Sequence, residues 1–128
     1  MRTKTLLGSL PPALALALAL GLAPLPAGAA AAPALLPACP PGALCLWADE
    51  DFRGPRRVHE LAGTDVDSCT ALPPGATAAA LANRTGRPVT TYQSGECAEH
   101  GAFDTYPGSG VWAPRSPYLI RAFRIWER

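Results

Sequence analysis

Apolar and polar positions change character twice along the chain. Residues 1–29 hold an unbroken Leu/Ala run from Ala13 to Leu20, with Arg2 and Lys4 ahead of it and no acid. Residues 23–42 are almost entirely Ala, Pro, Gly and Leu, without polar alternation. From about Ala38 onward, short stretches rich in β-branched or aromatic residues alternate with clusters of Gly, Pro, Asp and Ser. No stretch there carries the 3.6-residue apolar spacing of a long amphipathic helix. The pattern predicts an all-β domain with antiparallel strands at about 43–48, 56–61, 77–83, 88–93, 102–106 and 119–126, joined by short turns or a single helical turn. In the last segment Leu119, Arg121, Phe123 and Ile125 share one face, and Ile120, Ala122, Arg124 and Trp126 share the other. A strand with no purely polar face suits a position between a core and a partly covered edge.

Shifting the chain against itself by 45 residues exposes a weak internal repeat. Trp47 falls on Tyr92, Phe52 on Cys97, Val58 on Phe103, Leu61 on Tyr106 and Gly63 on Gly108. In the same register Ala78 and Ala80 face Phe123 and Ile125, so that small residues in one half make room for large ones in the other. Two similar antiparallel halves packed face to face form a sandwich.

The basic start, the apolar run and the small-residue exit Ala27-Gly28-Ala29 read as a secretory leader over 1–29. Pro11, Pro12, Pro24 and Pro26 crowd the run too closely for a membrane-spanning helix. The expected organisation is a leader at 1–29, an Ala/Pro-rich lead-in at 30–38 and one domain at 39–128, exported and extracellular. Removing 29 of the 128 residues leaves 99, in which nine arginines face ten acids, so the net charge falls from +1 to −1. No basic excess is left to bind nucleic acid or an anionic membrane. So short a chain is also a poor frame for a large catalytic cleft.

All four cysteines, Cys39, Cys45, Cys69 and Cys97, lie in the exported part, where an even count points to two disulfides. Three pairings are formally possible. The short, turn-forming stretch Pro40 to Leu44 favours Cys39 with Cys45, which leaves Cys69 with Cys97. The chain-entropy estimate is about 2 kcal/mol for the small ring and about 3–4 kcal/mol for the larger one. Zinc knuckles have other spacings. Leu36-Pro37-Ala38-Cys39 distantly echoes a lipid-attachment box, but Pro37 and the long gap after the apolar run argue against an anchor, which would also leave an odd thiol.

The segment Trp47-Ala-Asp-Glu-Asp-Phe52-Arg-Gly54 resembles the aromatic, four residues, aromatic, one residue, glycine signature of a βγ-crystallin Greek key. Preceded by Cys39-Pro40-Pro41-Gly42-Ala43-Leu44-Cys45-Leu46 after a bacterial-type leader, it is similar to the secreted actinobacterial proteins of peptidase inhibitor family I36, whose founding type inhibits metalloproteinases. Physically, Trp47 and Phe52 pack together at a hairpin whose acids Asp49, Glu50 and Asp51 stay solvated, and Gly54 sits where the chain needs positive φ. These residues report fold rather than activity.

The resemblance implies a βγ-crystallin-like Greek-key sandwich and an inhibitory loop closed by a disulfide and presented as a poor substrate. In the second half, Tyr92-Gln-Ser-Gly-Glu-Cys97-Ala-Glu99 has cysteine in place of the second aromatic and Glu99 in place of glycine. A Cys69–Cys97 bond would replace the aromatic contact and clamp the candidate inhibitory loop Ser94, Gly95, Glu96, Cys97, Ala98, from which Glu96 could approach a catalytic metal. Calcium-binding relatives of the fold use a loop whose nearest match is Thr64-Asp65-Val66-Asp67-Ser68-Cys69, with Asp65 and Ser68 as the weak candidate ligands and a polar turn as the plainer reading.

Enzyme patterns fail one by one. His59-Glu60-Leu61-Ala62-Gly63 begins like a zinc-protease helix but has Gly63 where the second histidine belongs. His100 is the only other histidine, and no Ser/His/Asp or Cys/His set accompanies it. The adjacent acids at 49–51 splay around a turn and do not form an inward-facing pair. Asn83-Arg84-Thr85 matches a glycosylation acceptor by chance. The expectation is a monomeric, non-enzymatic inhibitor without a cofactor, whose partner is an extracellular protease, most plausibly a metalloproteinase. The alternative is an exported structural or stress module that binds calcium or the cell wall and has no protease partner.

Overall fold

The computed structural model describes residues 35–128. Of its two compact units, Met1–Leu36 falls almost wholly outside these residues, and with it the leader and the start of the lead-in; Pro37–Arg128 is the folded domain. It contains eight strands: β1 (Ala43–Asp49), β2 (Arg53–Glu60), β3 (Thr70–Ala71), β4 (Ala80–Asn83), β5 (Val89–Tyr92), β6 (Phe103–Tyr106), β7 (Val111–Ala113) and β8 (Ala122–Ile125). Among the described residues the helical content is one 3₁₀ turn at Leu61–Gly63.

All neighbours pair antiparallel, in two four-stranded sheets ordered β2-β1-β4-β7 and β3-β8-β5-β6. The third strand of each half therefore sits in the sheet of the other half. Six of the eight strands match the expected segments, with ends shifted by up to three residues. The two exchanged strands, β3 and β7, are only two and three residues long, too short for an alternating pattern to register.

The 45-residue repeat holds where the halves begin. Trp47 on β1 pairs with Ala80, and Tyr92 on β5 pairs with Ala122. Later it slips. Leu81 opposite Leu46 corresponds to Phe123 opposite Thr91, a spacing of 42, and Val58 opposite Cys45 corresponds to Thr105 opposite Thr90, a spacing of 47. Ala78 bridges to Ile120 and joins Phe123 and Ile125 in the main core, whereas Ala80 does not face Ile125 as expected but packs with Trp47 on the opposite side of its sheet from Leu81. The loops of the two halves differ in length, so no single shift can carry the register through.

Leu44, Leu46 and Leu81 from one sheet and Val89, Phe123 and Ile125 from the other meet in the main core, with Leu72, Ala78 and Ile120 closing it. Each large side chain buried there contributes roughly 1.5–3 kcal/mol. A second cluster lies on the outer face of the first sheet, where Cys39, Cys45, Trp47, Ala80 and Ala82 pack under Phe52 and Trp112. Asn83 is fully buried and bonds the carbonyls of Arg87, Tyr106 and Pro107, at 2.9, 3.3 and 3.1 Å, so it pins the β4–β5 and β6–β7 connections and has no surface on which to carry a glycan.

Candidate functional site

The β1–β2 hairpin follows its expected logic. The Trp47 and Phe52 rings meet edge to face at 5.0 Å, and Phe52 meets Trp112 of β7 at 6.1 Å. Gly54 has φ 78°, a conformation that favours glycine; a Cβ there would also displace the carboxylate end of the exposed Asp49 side chain. Phe52 itself adopts φ 58°, a left-handed conformation held by its packing between two tryptophans. The acids of the turn splay outward, and Asp51 pairs with Arg115 at 3.6 Å across exposed surface. A concavity of about 690 Å³ opens between this turn and Ser116–Leu119.

The disulfides are Cys39–Cys45 and Cys69–Cys97, the pairing favoured from spacing. Cys39 is thereby committed, and its sulfur has no valence left for a lipid. Strand register gives the second bond its meaning. Because Leu81 pairs with Ala113 and its counterpart Phe123 pairs with Thr70, Trp112 in one half corresponds to Cys69 in the other. Phe52 likewise corresponds to Cys97, and both carry positive φ, at 58° and 56°. The Phe52–Trp112 contact of the first half and the Cys97–Cys69 bond of the second are the same contact, made once by packing and once covalently.

That bond holds the loop Ser94 to Ala98 between β5 and β6. Cys97 is 7% exposed and packs on Tyr92 and Ala122, while Glu96 points to solvent. Within the loop, Cys97 N donates to Ser94 O (3.4 Å) and Glu96 N donates to Ser94 Oγ (3.1 Å), whose hydroxyl donates in turn to Glu96 Oε2 (3.1 Å). A turn so bonded, with a covalent anchor at its far side, has few conformations to lose. Beside it runs a groove of about 310 Å³ walled by Leu72, Pro73, Pro74, Gly95 and Arg121.

The remaining sequence candidates separate from this loop. His59 lies on β2, one residue before its end, and Leu61–Gly63 is a 3₁₀ turn, so His59 to Gly63 forms no zinc-binding helix face. The His59 ring lies 4.7 Å from Phe123, Nε2 has no hydrogen-bond partner, and burial followed by the Arg57 charge lowers its pKa. Asp65 and Ser68 are exposed, while Asp67 Oδ1 accepts from Glu127 N (3.0 Å) and Asp67 N donates to Ile125 O (2.7 Å). The turn thus ties down the C-terminal segment. Among the described residues no group of three or more His, Cys, Asp or Glu side chains is placed to hold a metal ion. Tyr106 is pushed up to about 12, chiefly by burial and then by Asp104, and stays a neutral hydroxyl. Sequence reasoning missed Trp112 and the roles of Asn83 and Arg121; only the tryptophan carried a usable signal, an aromatic alone between turn residues.

The family model of peptidase inhibitor family I36 matches residues 32–104, more than half of the chain, through both disulfides and the whole Ser94–Ala98 loop. The chain belongs to peptidase inhibitor family I36. No curated protein and no solved structure matches it. As an I36 member it is an inhibitor and not an enzyme, and the family implies a protease as its partner. The matched I36 region ends inside β6, so β7 and β8, with Trp112 and Arg121, lie outside it.

Proposed function

We propose that this protein is exported and inhibits an extracellular metallopeptidase by seating Ser94–Ala98 in the enzyme's cleft. The observation that carries the reading is the bond from Cys97 to Cys69 at the edge of β3, which fixes the loop to a strand lent by the other half of the domain. A loop already ordered loses little entropy on binding. Should the peptidase cut within it, the ends remain joined through the β5–β6 pairing and the disulfide, and the bond can re-form rather than be released. The tight turn and the positive φ of Cys97 also keep the peptide away from the extended shape a cleft cuts best. Glu96, exposed at the tip, is the side chain suited to approach a catalytic metal.

The exchange of β3 and β7, the Trp47/Phe52/Gly54 hairpin and its covalent counterpart support a βγ-crystallin-like Greek-key sandwich as the frame. Two disulfides suit an oxidising, extracellular setting. Among the described residues no helix is long and apolar enough to cross a membrane. The test is titration of the purified residues 30–128 against a thermolysin-like metallopeptidase and a serine protease. Stoichiometric loss of the first activity alone supports the reading, and no effect at micromolar excess removes it.

A further inference from the structure

We propose that the groove beside the loop is a second contact for the same peptidase, taking an apolar side chain flanked by a carboxylate on the rim of the enzyme's cleft. The inference rests on the Ser94–Ala98 loop being the inhibitory segment. Three observations carry it. The first is continuity, because Gly95 belongs both to the loop and to the groove wall, so a surface that grips the loop is laid across the groove.

The second is rigidity. Ala76 N donates to Pro73 O (2.8 Å) around the Pro74-Gly75 turn, with Gly75 at φ 82°. Leu72 N donates to Arg121 O (2.9 Å), and Arg121 N donates to Tyr92 O (2.8 Å). Both walls are therefore set before binding, as the loop is. The third is charge. Leu72, the two prolines and Ala76 make the groove apolar, and Arg121 is its one charged side chain. That side chain is exposed and makes no ion pair among the described residues. An apolar seat with one free guanidinium at its rim fits a hydrophobic residue next to an acid, and arginine in such a place is a frequent anchor.

The experiment measures inhibition constants for wild type, Arg121→Ala, Arg121→Glu and Thr77→Trp against a thermolysin-like metallopeptidase at low and high salt. The folded state of each variant is checked by circular dichroism. Arg121 makes its structural bonds through the backbone, so the charge variants keep the fold. The expected Ki rises about tenfold for Arg121→Ala and about hundredfold for Arg121→Glu, mainly through slower association, and the salt dependence of wild type flattens in the alanine variant. Thr77→Trp, which fills the groove, raises Ki at least about tenfold and leaves the salt dependence intact. Unchanged Ki and salt slope in all three, with wild type inhibiting normally, would overturn the groove and leave the loop standing. A wild type that inhibits no metallopeptidase would overturn both. A dimer in sedimentation that Arg121→Glu dissociates would put a second copy of this chain in the groove and overturn the proposal as well.

Discussion

Removing the two disulfides separately distinguishes a bond that stabilises from one that also presents the loop. Cys69 and Cys97 are 28 positions apart, and closing a ring of that size contributes about 3.5 kcal/mol through the unfolded state. Cys39 and Cys45 are 6 apart, which corresponds to about 2 kcal/mol. For a domain of this length a 3.5 kcal/mol loss lowers Tm by about 15–25 °C. The functional difference is larger. Without its anchor, Cys97→Ala has nothing to hold φ at 56°, and the turn from Ser94 relaxes. If only two of the loop's residues must be re-ordered on binding, at about 1.4 kcal/mol each, Ki rises about hundredfold. Guanidinium unfolding followed by tryptophan fluorescence gives the stabilities, and titration of a metallopeptidase gives Ki. The paired variant Cys69→Ala/Cys97→Ala should lose both stability and inhibition, whereas Cys39→Ala/Cys45→Ala should lose about 2 kcal/mol and keep its Ki at temperatures where it is folded. Should the first variant lose less than about 1 kcal/mol, or inhibit as well as wild type, the reasoning is wrong.

Further outcomes follow from single side chains. Gly54→Ala forces a Cβ-bearing residue to hold φ 78° and should cost about 1–3 kcal/mol in denaturant titration, with Ki unchanged. Asn83→Ala leaves the carbonyls of Arg87, Tyr106 and Pro107 without their shared donor, for an expected loss of about 3 kcal/mol in the same assay. His59 has a folded pKa below its ordinary value of 6.5, through burial first and Arg57 second. The unfolded chain therefore takes up the proton more readily, so this contribution is complete above pH 6.5 and is lost as pH falls through the folded value. Thermal melts of His59→Phe against wild type between pH 7 and 4 should show a flatter decline in the variant.

Much of the fold was legible because alternation and turn chemistry are local. β5 gave itself away by an uninterrupted run of β-formers, β1 by a short apolar run between turn residues, and Trp47, Phe52 and Gly54 by their fixed spacing. What stayed hidden depends on distant partners. β3 and β7 are strands only because the opposite sheet has an open edge for them, and nothing inside two or three residues announces that. The register slip from 45 to 42 reflects loop lengths, which a constant shift cannot follow. Of the candidate site, the cysteine pairing was readable because a five-residue turn separates Cys39 from Cys45. The equivalence of Cys69 with Trp112 was not, since it exists only in the strand pairing. Arg121 read as part of a strand at 119–126, and its place beside Gly95 comes from the neighbouring Leu72–Thr77 segment.

The most direct test of the account is amide hydrogen exchange on the inhibitor, alone and with an equimolar metallopeptidase. New protection should centre on Gly95 to Ala98 and extend to Leu72–Thr77, while the acidic turn at 49–51 exchanges as before. Protection centred on that turn, or none near the loop in a complex that still inhibits, would contradict it.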